Sequence, residues 1–116
     1  MSGKITTHVL NLAQGAPAEG VKIELYYSEK NLLLATAFTN ADGRVDQPLL
    51  AGEHIQAGLY ELIFYVGDYH RAIGTSTADT LLWEKVPLRF HIVDTEQNYH
   101  IPLLVAPGGY STYRGS

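Results

Sequence analysis

The chain has 116 residues and a net charge of -4, is 46% hydrophobic and 17% charged, and contains no cysteine. This is one domain's length with enough apolar mass for a core, which excludes a disordered chain. The acidic balance, with Lys and Arg scattered singly, argues against a nucleic-acid backbone as the main partner, and the missing cysteine removes disulfides, thiolate nucleophiles and cysteine-based metal sites.

The first residues, MSGKITTHVL, hold no apolar signal core, and no apolar run reaches the ~20 residues that span a bilayer. A soluble, cytoplasmic protein with no membrane partner is expected, and the ending Arg-Gly-Ser is not the Ser-Lys-Leu address. The dominant period is two. ITTHVLNL (5–12) reads as a first strand, with His8 and Thr6 on the side opposite Ile5 and Val9. After a Gly/Pro turn (Gly15, Pro17, Gly20), VKIELYYS (21–28) alternates cleanly, with Val21, Ile23, Leu25 and Tyr27 on one face. NLLLATAFT (31–39) is a further strand. The pair Asp42-Gly43 then makes a turn, and Arg44 follows where another strand is expected to begin.

GLYELIFYV (58–66) reads as a strand apolar on both faces. DYHRAI, between Gly67 and Gly74, predicts a short helix capped by Asp68 and stopped by Gly74. VPLRFHIV (86–93) turns Val86, Leu88, Phe90 and Ile92 inward and Arg89 and His91 outward. In YHIPLLVA (99–106), His100 faces away from Ile101 and Leu103, and Pro102 implies an edge or a bulge. The last stretch, YSTYRGS (110–116), would alternate with no apolar face, so core packing alone explains it poorly. Seven or eight short strands in a chain this size predict an all-β, antiparallel β-sandwich. Apolar residues on outer faces, such as Leu104 and Tyr65, point to self-association.

Five histidines raise the question of chemistry, since imidazole titrates near neutrality. His54 and His70 fall in loop and helix-end contexts, and His91 shares a solvated face with Arg89. Neither a helical His pair with metal-binding spacing nor a G-x-S-x-G elbow is present. His8, His100 and Arg44 carry the site expectation through a likeness.

THVLNLAQGAPAEGV at the start, TNADGR in the middle and YHIPLLVAPGGYSTYRGS at the end resemble the signature segments of the transthyretin-like 5-hydroxyisourate hydrolases of purine catabolism. The likeness runs over the whole chain, and the terminal YRGS separates enzyme from hormone carrier. It implies one transthyretin-like domain, residues 1–116, with two four-stranded sheets and one short helix. It also implies a homotetramer with active sites at the dimer–dimer interface. The substrate implied is 5-hydroxyisourate, hydrolysed to 2-oxo-4-hydroxy-4-carboxy-5-ureidoimidazoline in urate degradation.

By the same motifs, the site falls on His8, Arg44, His100 and the tail Tyr113, Arg114, Gly115 and Ser116. His8 and His100 would activate water and move protons, in an order the sequence leaves open. Arg44 would hold the substrate's oxygens and the developing oxyanion. Tyr113 and Ser116 would position substrate or water through their hydroxyls. Arg114 would either touch substrate or anchor the tail, and Gly115 would give the backbone freedom to aim Ser116. Asn98 departs from the His-Tyr-His pattern of many members and would tune the site. The chemistry asks for no metal and no organic cofactor. A ligand-carrying relative and an accessory β-sandwich are the alternatives; turnover of substrate separates them from the enzyme.

Overall fold

The computed structural model describes residues 3–75 and 80–116. Among the described residues nine strands form two sheets. The first sheet holds β1 (Lys4–Asn11), β2 (Ala16–Pro17), β5 (Leu50–Ala51), β8 (Tyr99–Ala106) and β9 (Gly109–Thr112). The second runs in the order β4 (Leu32–Phe38), β3 (Lys22–Tyr27), β6 (Gly58–Phe64) and β7 (Val86–Ile92). Helix α1 (Val66–Ala72) follows β6 directly. Among the described residues no helix is long and apolar enough to cross a membrane.

The alternation read from the sequence is the alternation of burial. Ile5, Thr7, Val9 and Asn11 turn into the sandwich from β1, and Lys4, Thr6, His8 and Leu10 turn out. Ile23 and Leu25 of β3, Tyr60, Leu62 and Phe64 of β6, and Leu88 and Ile92 of β7 meet Leu103 and Val105 of β8 in one continuous core. Truncating such a residue to alanine typically costs ~2–5 kcal/mol, so this core sets the frame on which the outward residues are held.

The all-β sandwich stands, with two differences of detail. The first sheet has five strands because β2 and β5, two residues each, pair with opposite ends of β1; segments that short have no period to read. The sheet is also mixed, because β1 and β8 run parallel, with Thr6 opposite His100 and His8 opposite Pro102. Period two assigns faces but says nothing about the direction of a partner ninety residues away.

Pro102 is not on an edge strand, since β8 lies between β1 and β9. The Val105 carbonyl accepts the Leu12 amide on the β1 side, so by alternation the backbone of Pro102 faces β9. The β9 ladder stops there: Leu103 pairs with Thr112, and the Thr112 hydroxyl donates to the Pro102 carbonyl at 2.7 Å. The missing amide of Pro102 therefore falls where the ladder has already opened.

Helix α1 forms where expected, and the chain turns out of it at Gly74, but Asp68 does not cap it. Its N-cap is Tyr65, with no side-chain cap bond, and the Gly67 amide is taken by the Glu84 carbonyl at 3.0 Å. Asp68 instead accepts from Arg71 at 2.8 Å. Arg71 also forks onto both oxygens of Glu84 at 2.9 Å, and with the Leu81 amide this holds the Glu84 carboxyl down to about 2. Asn11 donates to the Tyr69 hydroxyl at 3.0 Å and ties the helix to β1.

Candidate active site

The turn after β4 is built around one side chain. Asn40 Oδ1 accepts the amides of Asp42 (2.9 Å) and Arg44 (3.2 Å), and Asn40 Nδ2 donates to Asp46 at 2.9 Å. Gly43 sits at φ +77°, and a Cβ there would overlap the Val9 carbonyl, so only glycine lets the turn lie against β1. The Val9 amide donates to the Gly43 carbonyl at 2.8 Å, and Arg44 forms a single antiparallel bridge with His8. The strand expected at Arg44 is thus one bridge long, enough to bring His8 and Arg44 together.

His8 closes the turn from the other side. Its Nε2 lies 2.8 Å from the Asp42 carbonyl. A carbonyl only accepts, so Nε2 carries the proton and a neutral His8 keeps its lone pair on Nδ1.

His100 is reached through the parallel pairing. Thr6 stands opposite it on the same outer face, and Thr6 Oγ1 is hydrogen-bonded to His100 Nδ1 at 2.9 Å. Partial burial, then the neighbouring charges of Arg44 and His8, push the His100 imidazole below its usual range. All three disfavour the imidazolium and favour the neutral ring, the form that can accept a proton.

The tail completes the wall. β9 ends at Thr112, and the chain swings back so that the Gly115 amide donates to the His100 carbonyl at 2.8 Å. Gly115 is not in the left-handed region; its part is closeness, because a Cβ there would run into the His100 ring. Arg114 is the anchor. It donates to Gln97 at 3.0 Å and to the Asn98 carbonyl at 2.9 Å, and it lies 4.6 Å above the Tyr99 ring.

These pieces surround a cavity of about 550 Å³ lined by Arg44, His100, Tyr113, Ser116, Asn98 and Lys4, with Thr6 and Thr7 at its base. His8 stands beside the cavity and not on its wall, bridged to Arg44 and close enough to His100 to affect its charge. Among the described residues, no group of three His, Cys, Asp or Glu is placed to hold a metal ion. Sequence reasoning did not single out Thr6 or Lys4 as site residues, although both share the outward period-two face of His8. The remaining histidines lie elsewhere: His54 and His91 are exposed, and His70 is buried in α1.

Two packed sheets with a polar, histidine-bearing cavity at one end of the first define a small β-sandwich with an enzyme-like site. The chain belongs to the HIUase/Transthyretin family, whose model matches residues 5–115. It is 53% identical to 5-hydroxyisourate hydrolase 2 of Rhizobium meliloti (strain 1021), covering 99% of this chain and 98% of that one. Among solved structures, the Klebsiella pneumoniae 5-hydroxyisourate hydrolase superposes with a TM-score of 0.84 at 34% identity, covering 98% of this chain and 99% of that one. An (S)-allantoin synthase superposes with a TM-score of 0.92 at 40% identity; the match covers 99% of this chain but 44% of that longer one.

Proposed function

We propose that this chain is a 5-hydroxyisourate hydrolase, opening the six-membered ring of 5-hydroxyisourate to 2-oxo-4-hydroxy-4-carboxy-5-ureidoimidazoline in urate degradation. The observation that carries this is the cavity joining His100, the Arg44 guanidinium and the hydroxyls of Tyr113 and Ser116, in a chain related along its whole length to proteins of that name.

In the tautomer whose Nδ1–H donates to the Thr6 hydroxyl, His100 Nε2 holds the lone pair that takes a proton from water. The water oxygen bonds to the ring carbonyl carbon, the C–N bond breaks, and the proton passes to the departing nitrogen. Arg44 has no hydrogen-bond or ion-pair partner for its guanidinium among the described residues, so its fork is open to the developing oxyanion. His8 holds the Arg44 turn through Asp42 and offers Nδ1 as the second imidazole. Tyr113 and Ser116 orient substrate and water. Ser116 has no base hydrogen-bonded to it, so water, not serine, is the nucleophile. The steps use imidazole, guanidinium and hydroxyl groups alone.

The working form is a homotetramer with its sites at the dimer–dimer interface. Supporting this, Leu82 is 83% exposed and Trp83 packs edge-on to Tyr110 near β9, apolar surface that a lone subunit leaves in water. The cysteine-free composition supports action in the cytoplasm.

Generating 5-hydroxyisourate from urate with urate oxidase, and following its ultraviolet decay with and without the protein, tests the activity. Acceleration is expected; an unchanged decay overturns the proposal. Sedimentation gives the assembly, with four chains expected.

A further inference from the structure

The side-chain charge around the cavity is one-sided. Lys4, Arg44 and Arg114 all line it, three of the chain's eight Lys and Arg, and no Asp or Glu does. In a chain of net charge -4 such a gathering needs a reason. Arg114 is committed to Gln97, Asn98 and Tyr99, and Arg44 to the oxyanion. Lys4 has no part in the chemistry above and no hydrogen-bond or ion-pair partner among the described residues. Its backbone is fixed, paired with Ala51 of β5, and its side chain leaves β1 on the same outward face as Thr6 and His8. A lysine on a strand surface is ordinarily just solvated; this one has a rigid root and a cavity in front of it.

We propose that Lys4 is a substrate-recognition residue that holds the anionic, oxygen-rich edge of the ring and then the carboxylate that hydrolysis creates. The inference rests on the hydrolase reading and deepens it. An ammonium is a point charge with three rotatable donors, suited to a charge whose position shifts as the ring opens, whereas the planar Arg44 fork suits one fixed oxygen. Lys4 neither gives nor takes a proton. It interacts with substrate, transition state and product alike, so its removal acts on binding and not on the chemical step.

Three measurements test this on the full chain. Lys4→Met and Lys4→Gln should raise KM about tenfold while kcat stays within about twofold, as loss of uniform binding does. Lys4→Arg should restore KM. Urate, a planar monoanion at neutral pH, should bind the unmodified protein by calorimetry and bind Lys4→Gln about tenfold more weakly, a factor set by one charge contact in an open cavity. Unchanged KM and urate affinity in both variants would overturn the inference, as would a fall in kcat at constant KM. If the unmodified protein fails to speed the decay, the hydrolase reading falls, and urate binding alone decides whether Lys4 recognises an anion.

Discussion

His100 and His70 are two partly or fully buried histidines, both held below the usual imidazole range with burial as the first cause. Their surroundings differ in every other respect. His100 lines a cavity, is bonded to Thr6 and feels Arg44 and His8. His70 is 2% exposed in α1, beside the Tyr69 ring, and neither ring nitrogen has a hydrogen-bond partner among the described residues. A lowered pKa therefore does not mark a site. An open face, a hydrogen-bond partner that orients the ring and a cation for developing charge are what set His100 apart.

Breaking the cavity side should give the largest effects. Arg44→Ala is expected to lower kcat/KM by ~10²–10³, the scale of losing an oxyanion donor, with the fold intact because the guanidinium supports no structural contact. His100→Gln should cost at least ~10², the scale of a lost general base. Steady-state kinetics on 5-hydroxyisourate checks both, and a fall under threefold in either would contradict the role assigned to that residue. Removal of Tyr113–Ser116 should lower the rate comparably; if the truncated chain unfolds in a thermal melt, the tail acts first as structure.

The helix side should show the opposite pattern. His70→Phe keeps a slightly larger aromatic ring there without a buried, unsatisfied imidazole, whose cost is ~1–3 kcal/mol. We expect unchanged kcat/KM and a Tm higher by ~4–8 °C for each kcal/mol gained. The pH sign follows from linkage. With the native pKa of His70 below 6.5, the unfolded chain takes up a proton first as pH falls through 6.5, so stability drops with acid. His70→Phe should flatten that slope in melts between pH 7 and 5, leaving the part due to His100. The acid limb of kcat/KM, which follows His100, should stay below pH 6.5 in both proteins.

The smallest expected effect concerns Glu84. Its native pKa of about 2 lies below the ordinary 4.5, so its tie to Arg71 is complete above about pH 4.5 and fades as pH falls toward 2. Glu84→Gln should remove that feature from an acid titration and change Tm less than His70→Phe does.

Much of this was legible in the sequence. Period two placed His8 and His100 on outward faces, and Asp42-Gly43 located the turn that presents Arg44. The likeness carried the tail. What stayed hidden was pairing. Nothing local announces that β1 runs parallel to β8, yet that register puts Thr6 against His100, 94 positions apart in the chain. Thr6 and Lys4 lay in plain view as neighbours of His8 on one face, but only the register and the returning tail turn that face into a wall. Pro102 read as an edge or a bulge because the gap in the β9 ladder comes from the route of the tail, which composition does not encode.

The bond from the Gly115 amide to the His100 carbonyl makes a segment beyond the last strand report on the site. In native-state hydrogen exchange, amides this near a chain end are ordinarily the first to take up deuterium. This one should be slow while its neighbours are fast, and should quicken whenever the tail lets go of the histidine. A single backbone proton would then count how often the cavity wall is assembled.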